Sequence, residues 1–396
     1  MMFGICYKEE VIPMMIFSIP SDFKEETINR LEELNEEKSG KAKVLETYGQ
    51  ATEIGIQSSG RVTEVLPKIT LQNLEHYVKY SKDRGIDFNY TLNPACFGNY
   101  EFSLKGMEQL LHFLRTLYNI GINSLTITSP SIFEMISGLG LNFKLKASAI
   151  CEITSPDKAL FYKKLGANRI VLDPDITRNF KAIKNIQKVA NEATEIIINN
   201  VCYKHCAYKM FHYNHEAHCN SQHEGQHIKD YFTNRCSLQK AGGFMNPIRL
   251  NWIRPEDLHY YYDLGIRHFK IQGRQNVVTG DVIKTLRYYM KENFDGNLYD
   301  LITLFSPYNA FQPYIDNKSL DGYINRFLKE PCDDLCDKCG YCESFADKSI
   351  DKTKALDLNK KATTFFHEFD SYTKVINGKV KRSEERIPFL DLPEDF

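Results

Sequence analysis

The chain has 396 residues, 42% hydrophobic and 26% charged, with 50 basic against 51 acidic side chains and a formal net charge of -1. That length suffices for one large core plus a small second module, and no apolar run approaches the length of a membrane-crossing helix, so a soluble protein without a membrane span is expected. The even charge balance advertises no large nucleic-acid footprint, because a partner of a polyanion collects lysine and arginine on one face.

The opening segment, MMFGICYKEEVIPMMIF, carries two glutamates that interrupt its apolar run. This predicts no secretory leader and a cytoplasmic location. Eight short apolar or β-branched runs then predict strands over 14–20, 43–48, 87–93, 124–129, 143–150, 169–173, 195–200 and 268–272, with helical stretches between most of them. Ser21 and Asp22 cap a helix whose Ile28, Leu31 and Leu34 fall at helical spacing, and a second helix opens at Thr70 and closes at Gly85. The same sequence of helix, glycine, apolar residue and strand returns around Gly121, Gly166 and Gly265. Alternation of this kind marks a parallel sheet with crossover helices. Eight units make the α/β fold a TIM-like (β/α)8 barrel, with a doubly wound open sheet as the alternative.

Two segments break the rhythm. Residues 49–67, with Gly55, Ser58, Ser59 and Gly60, predict a loop or hairpin after the second strand. A longer insertion, 201–267, separates the seventh and eighth strands inside a barrel expected over 1–294, and insertions at strand ends are where barrels build sites. The remaining 295–396 predicts a C-terminal extension whose tail, around Lys381, Arg382, Glu384 and Glu385, is a solvated surface element.

Eight of the eleven cysteines form two sets of four. Cys202, Cys206, Cys219 and Cys236 read C-x3-C-x12-C-x16-C and lie in the insertion; Cys332, Cys336, Cys339 and Cys342 read C-x3-C-x2-C-x2-C and lie in the extension. An odd total in a chain of this length argues against a disulfide framework. The tight second set leaves little chain for the two knuckles of a structural zinc site and suits a peptide wrapped round a [4Fe-4S] cubane. The first set could seat either metal, and zinc stays open at both. Four thiolates round such a core leave a net charge of about -2 per cluster. Cys6, Cys96 and Cys151 are expected as small buried apolar groups.

At the barrel mouth, strand C-termini bring Glu46, Tyr48, Asn93, Cys96, Thr128, Ser129, Ser148, Cys151, Glu152, Asp173, Asn199, Asn200, Gln272 and Arg274 together, a polar rim over an apolar barrel. The seventh strand runs through Asn199 and Asn200 straight into Cys202, which predicts that the first metal sits at the mouth. Arg254, Arg274 and Arg61 are candidates to clamp a carboxylate or phosphate; with Glu46 they form the candidate catalytic set. His205, His212, His215, His218, His223 and His227 crowd the insertion, with His215 and His218 able to share a helix face. They read mainly as surface groups or as groups supporting the metal ligands, since no H-E-x-x-H signature is present. Pro255, Glu256 and Asp257 read as a helix start. No G-x-S-x-G elbow, Walker loop or G-x-G-x-x-G occurs, so serine-type hydrolysis and nucleotide-driven chemistry find no footing.

Glu46-Thr47-Tyr48-Gly49 with Gly60-Arg61, Phe88 to Asn93, Asn200-Val201-Cys202 through Cys206 and Cys219, and Trp252 to Leu258 with Phe269 to Arg274 together resemble the U32 peptidase-like family, also called collagenase-like proteases. The resemblance spans most of residues 10–295. It implies a TIM-like barrel and, as in the better understood members, a four-cysteine [4Fe-4S] site serving oxygen-independent hydroxylation of quinone precursors or RNA bases, in some cases with prephenate as oxygen donor. The sequence departs from those members in its more compact first cysteine spacing and in its second cysteine group.

Three readings follow. One is an iron-sulfur enzyme that modifies a peptide, RNA base or small molecule at the mouth, with the second group relaying electrons from a donor protein. The others are a peptide hydrolase, and a non-catalytic cluster protein that scaffolds or carries electrons for a second subunit of the same or a related kind.

Overall fold

The structure is a computed structural model that describes residues 15–37, 41–53, 60–219, 228–307 and 311–379; Cys6, His223, His227 and the charged tail beyond residue 379 lie outside them. Its centre is a closed parallel barrel. The strands are β1 (Met15–Pro20), β2 (Ala42–Gly49), β3 (Asp87–Leu92), β4 (Ser124–Ile127), β5 (Lys144–Ala147), β6 (Ala167–Val171), β7 (Thr194–Ile197), β8 (Asn199–Tyr203), β9 (Leu250–Trp252) and β10 (His268–Lys270). Around the ring the order is β1-β10-β7-β6-β5-β4-β3-β2, the (β/α)8 arrangement predicted, with helices between most successive strands. Among the described residues no helix is long and apolar enough to cross a membrane.

Two predicted strands end early for visible reasons. The fifth stops at Ala147 because the Ser148 hydroxyl accepts the Ile150 amide at 3.2 Å and starts a helical turn over Ala149–Cys151. The seventh divides at Ile198. Its N–H donates to Lys270 O at 3.0 Å while its carbonyl accepts from Ile253 at 2.7 Å, so the chain leaves the barrel there. β8 then pairs antiparallel with β9 as a separate ribbon.

The barrel interior is charged, where an apolar filling was expected. Lys146 on β5 donates to Glu46 of β2 at 2.6 Å and to Glu195 of β7 at 2.7 Å. These strands are not neighbours in the ring, so the contacts cross the lumen. Lys270 of β10 stands 3.9 Å from the other Glu195 oxygen, and the Ser18 hydroxyl donates to Glu46 at 2.6 Å. Beside this chain, Asn89 donates to Ser124 at 2.7 Å and accepts from Thr126 at 2.5 Å. Apolar residues such as Phe17, Ile19, Val44, Phe88 and Tyr90 are fully buried in the surrounding core.

That core continues into the extension: Leu298, Tyr299, Leu301, Ile315, Tyr323, Phe327 and Ile350 belong to the same apolar cluster as the barrel. Arg178 explains the lone tryptophan. Its guanidinium lies 4.5 Å from the Trp252 ring and 5.1 Å from the Tyr323 ring and donates to Leu250 O at 2.6 Å, gluing ribbon to extension.

Replacing Lys146 by methionine leaves two carboxylates facing each other in the lumen. It should cost about 3–5 kcal/mol in urea unfolding, and adding Glu195→Gln should return part of that loss. A cost below about 1 kcal/mol would mean that water, not protein, solvates these carboxylates.

Candidate functional site

A cavity of about 90 Å³ opens at the C-terminal end of the strands. Tyr48 ends β2, Thr91 and Thr126 lie on β3 and β4, Ser148 follows β5, and Lys270 ends β10; Gln272 and Arg274 follow it. Asn93 and Asn200 complete the rim, and Arg61 and Tyr213 reach in from the loop after β2 and from the helix Lys209–His218. Seven of these, Tyr48, Asn93, Ser148, Asn200, Gln272, Arg274 and Arg61, were legible as candidates. Lys270, Thr91, Thr126 and Tyr213 were not, and for Lys270 the one signal was a lysine inside an otherwise apolar strand.

Three cations line the cavity, and among its described lining residues there is neither histidine nor carboxylate. Arg274 is turned inward by Gly273, whose φ of 127° lies in the left-handed half of conformational space. Its Nη1 donates to Thr91 Oγ1 at 2.8 Å and to Gln50 Oε1. Burial pulls its pKa down to about 10, with Tyr48 opposing and Arg61 adding to the shift. Gln50 presents a buried Nε2 with no partner among the described residues. Arg61 pairs with Glu216 at 3.3 Å, and His212 holds the same carboxylate at 3.0 Å. Burial alone would raise Glu216, but Arg61 and His212 hold it at about 2.

Lys270 forms the floor. Its ammonium lies 3.8 Å from the centre of the Tyr48 ring, and Tyr48 donates to Ile271 O at 2.8 Å. Burial, reinforced by Lys146 and only partly opposed by Glu195, lowers Lys270 from 10.5 to about 8. Glu195 moves the other way: burial would raise it, but Lys146, Lys270 and Arg169 hold it well below the usual carboxylate range.

Two predicted catalytic residues do not line the cavity. Arg254 is spent on structure. Its Nε and Nη2 grip Asp257 at 3.0 and 3.1 Å, while Nη1 reaches Asn317 O at 2.9 Å and Asp321 at 2.8 Å, binding the helix start at Pro255 to the extension. Glu46 lies in the lumen with Lys146. Of the other rim candidates, Asp173 is held by Lys209 at 2.6 Å, and Asn199 is pinned to Gln272 O at 2.9 Å and Ile302 O at 3.0 Å. The Cys151 thiol is buried, 3.5 Å from Thr128 O; that of Cys96 accepts from Gly98 N–H at 3.2 Å.

The first thiol group starts two residues beyond the rim. Cys202 lies on β8, with its amide donating to Asn200 Oδ1 at 2.9 Å, and Cys236 lies on the helix Tyr231–Ala241. Burial, then Cys236, raise the Cys202 thiol to about 11, with Lys240 and Arg61 opposing; burial and Cys236 likewise raise Cys206. Lys240 is buried. Burial would lower its pKa, but Cys236, Tyr299 and Cys202 more than reverse this. Cys219 sits instead beside His215, Sγ to Nε2 3.7 Å. The second group, Cys332, Cys336, Cys339 and Cys342, lines one pocket with Arg249, Arg326, Phe327 and Tyr341. Among the described residues no three histidine, cysteine or carboxylate side chains close on a point as ligands of one ion do.

The family model described as peptidase family U32 matches residues 59–298. A curated relative from Methanocaldococcus jannaschii, named Uncharacterized protease MJ1657, is 31% identical over 342 residues, spanning 85% of this chain and 99% of that protein. A solved structure described as that of the U32 peptidase Mk0906 aligns with a TM-score of 0.47 at 16% identity, covering 65% of this chain and 92% of that one.

Between about pH 8 and pH 10.5 the unfolded chain keeps a proton on Lys270 that the folded chain has released. Stability attributable to this amine therefore rises with pH across that window. Relative to Lys270→Met, the wild-type chain should gain about 2 kcal/mol of urea-unfolding stability between pH 7 and pH 10. Parallel pH profiles for the two proteins would show that the amine is not desolvated.

Proposed function

We propose, from the premise that this chain belongs to peptidase family U32, that it is an iron-sulfur enzyme carrying out an oxygen-independent, hydroxylation-type modification of a substrate bound at the barrel mouth. The observation that carries this reading is a shared wall: Arg61 and Tyr213 line the cavity and also stand within electrostatic reach of Cys202. Cys202, Cys206, Cys219 and Cys236 would supply the four thiolates of a [4Fe-4S] cluster; Cys202, Cys206 and Cys236 lie within electrostatic reach of one another, while Cys219 stands beside His215. Four thiolates round such a core leave about two negative charges to offset, and a buried ammonium, Lys240, is already directed at Cys236 and Cys202. When bound, the cluster supplies one-electron redox chemistry at that wall.

The chain's own residues bind and orient. Lys270, Arg61 and Arg274 make the cavity selective for an anionic group, so the substrate or its oxygen donor carries a carboxylate or phosphate. Asn93, Ser148, Asn200 and Gln272 offer neutral hydrogen bonds around it. Lys270, with its pKa near 8, can take up or release a proton at its Nζ near neutral pH. Peptide hydrolysis, suggested by the relative's name, has less support, since no histidine or carboxylate base stands among the described lining residues.

Protein purified without oxygen should contain iron and acid-labile sulfide in equal amounts, and Cys202→Ala combined with Cys236→Ala should remove the share bound here. Unchanged iron and sulfide in that variant would overturn the assignment. Arg274→Gln should weaken binding of malonate, used as a small dicarboxylate probe, by about tenfold or more in calorimetry at fixed ionic strength. Equal affinities would remove the anion site.

A further inference from the structure

We propose that Cys332, Cys336, Cys339 and Cys342 form a second iron-sulfur site, separate from the first and docked directly against it; only the docking rests on the reading given to the first group. All four thiols line one pocket, and the backbone explains how. Cys336–Cys339 is a single helical turn, Gly340 turns the chain with φ of 64°, and the helix Tyr341–Ser349 carries Cys342 back to the same pocket. Eleven residues hold four sulfurs without the two separate knuckles of a structural zinc site.

The pocket is also prepared for negative sulfur. Arg326 Nη1 donates to Cys339 Sγ at 2.6 Å, and the Tyr323 hydroxyl lies 3.3 Å from Cys342 Sγ. Arg249 lines the same wall with a buried Nε–H that has no hydrogen-bond partner among the described residues. An unmet buried donor costs stability, and a cluster's sulfide or thiolate is the acceptor that this position lacks. Tyr323 and Tyr341 stack, Phe327 meets Tyr323 edge-on and Phe345 tilts against Tyr341, anchoring the back of the site in the main core.

The two thiol groups meet through a clasp. Lys204, between Cys202 and Cys206, donates to both oxygens of Asp334 at 2.6 and 2.8 Å, and His205 Nε2 lies 3.5 Å from the same carboxylate. Asp334 sits between Cys332 and Cys336. A cluster in the extension therefore lies next to the loop that holds the first one, as an electron relay between an external one-electron donor and the mouth would require.

The test is iron, sulfide and zinc analysis of full-length protein purified without oxygen, with electron paramagnetic resonance after dithionite reduction. Wild type should hold about eight irons and eight sulfides, with Cys336→Ala/Cys339→Ala and Cys202→Ala/Cys236→Ala each retaining about four. Reduced wild type should show an interaction-split signal and each double variant an isolated one; Lys204→Ala should leave the iron count unchanged. Iron controlled only by Cys202 and Cys236, or zinc in place of iron at the second pocket, overturns this site and leaves the first standing. Iron controlled only by Cys336 and Cys339 supports the second site and overturns the first. Cys336 is exposed, so Cys336→Ala alone provides a version with little risk to folding, and its failure to lower the iron count would also overturn the proposal.

Discussion

Inside the ring of strands, one buried carboxylate, Glu195, is shared between Lys146 at 2.7 Å and Lys270 at 3.9 Å, while Lys146 also holds Glu46 at 2.6 Å. Neither Lys146 nor Glu195, the two inner members, can be neutralised without leaving another charge poorly paired in a medium that solvates it poorly. Because the contacts run from β2 to β5 to β7 to β10, they fix the relative heights of four strands across the lumen. A one-residue slip would point these side chains into the outer apolar layer. The same chain sets the chemistry above it. Burial lowers Lys270, and because it shares its counterion with Lys146 too little opposes that shift, whereas Glu195 and Glu46 together raise Lys146 despite its burial.

The mouth inherits its geometry from one switch of partners. At Ile198 the backbone gives its N–H to β10 and its carbonyl to the strand end at Ile253, and Asn199 secures the exit with three contacts: to Gln272 O, to Ile302 O, and from the Gln272 amide at 2.7 Å. From this exit the chain continues through β8 to the helix Lys209–His218, whose Tyr213 reaches the cavity at the open end of the barrel. The helix Tyr231–Ala241 that bears Cys236 is backed by the long helix Lys352–Phe369 through Leu238, Ala241, Ala362 and Phe366.

The barrel was legible because parallel strands covered on both faces leave near-continuous apolar runs, and Gly121, Gly166 and Gly265 punctuate the helix ends between them. Polar side chains inside such runs were not legible in their role. Lys146 and Lys270 look like strand-edge lysines until pairing across the lumen is known, and Thr91 looks like a β-former until Arg274 donates to it. Arg254 misled in the opposite direction. Its neighbours Pro255, Glu256 and Asp257 were read correctly as a helix start, yet that same Asp257, three residues on, is what occupies the guanidinium. Its other acceptors, Asn317 and Asp321, lie more than sixty residues away, beyond any local pattern. Trp252 was conspicuous for its rarity, and its partners Arg178 and Tyr323 are equally remote in sequence.

Charge also decides how the first thiol group is accommodated so close to the core. Cys202 is half-buried, and its thiol is held high chiefly by loss of solvent, a poor environment for a lone thiolate. Yet the fold places Lys240, a fully desolvated ammonium, on the helix turn after Cys236, and brings Arg61 from the opposite loop to the Cys202 side. Burying two cations beside neutral thiols would be a net loss, because each forfeits hydration and gains only weak dipolar contacts. Arg61 recovers part of that through Glu216; the groups acting most strongly on Lys240 are sulfur and phenol. Negative charge on these sulfurs offsets that loss at Lys240. At the second thiol group Arg326 divides its guanidinium between Cys339 at 2.6 Å and Glu330 at 3.5 Å, while Arg249 lines the same pocket.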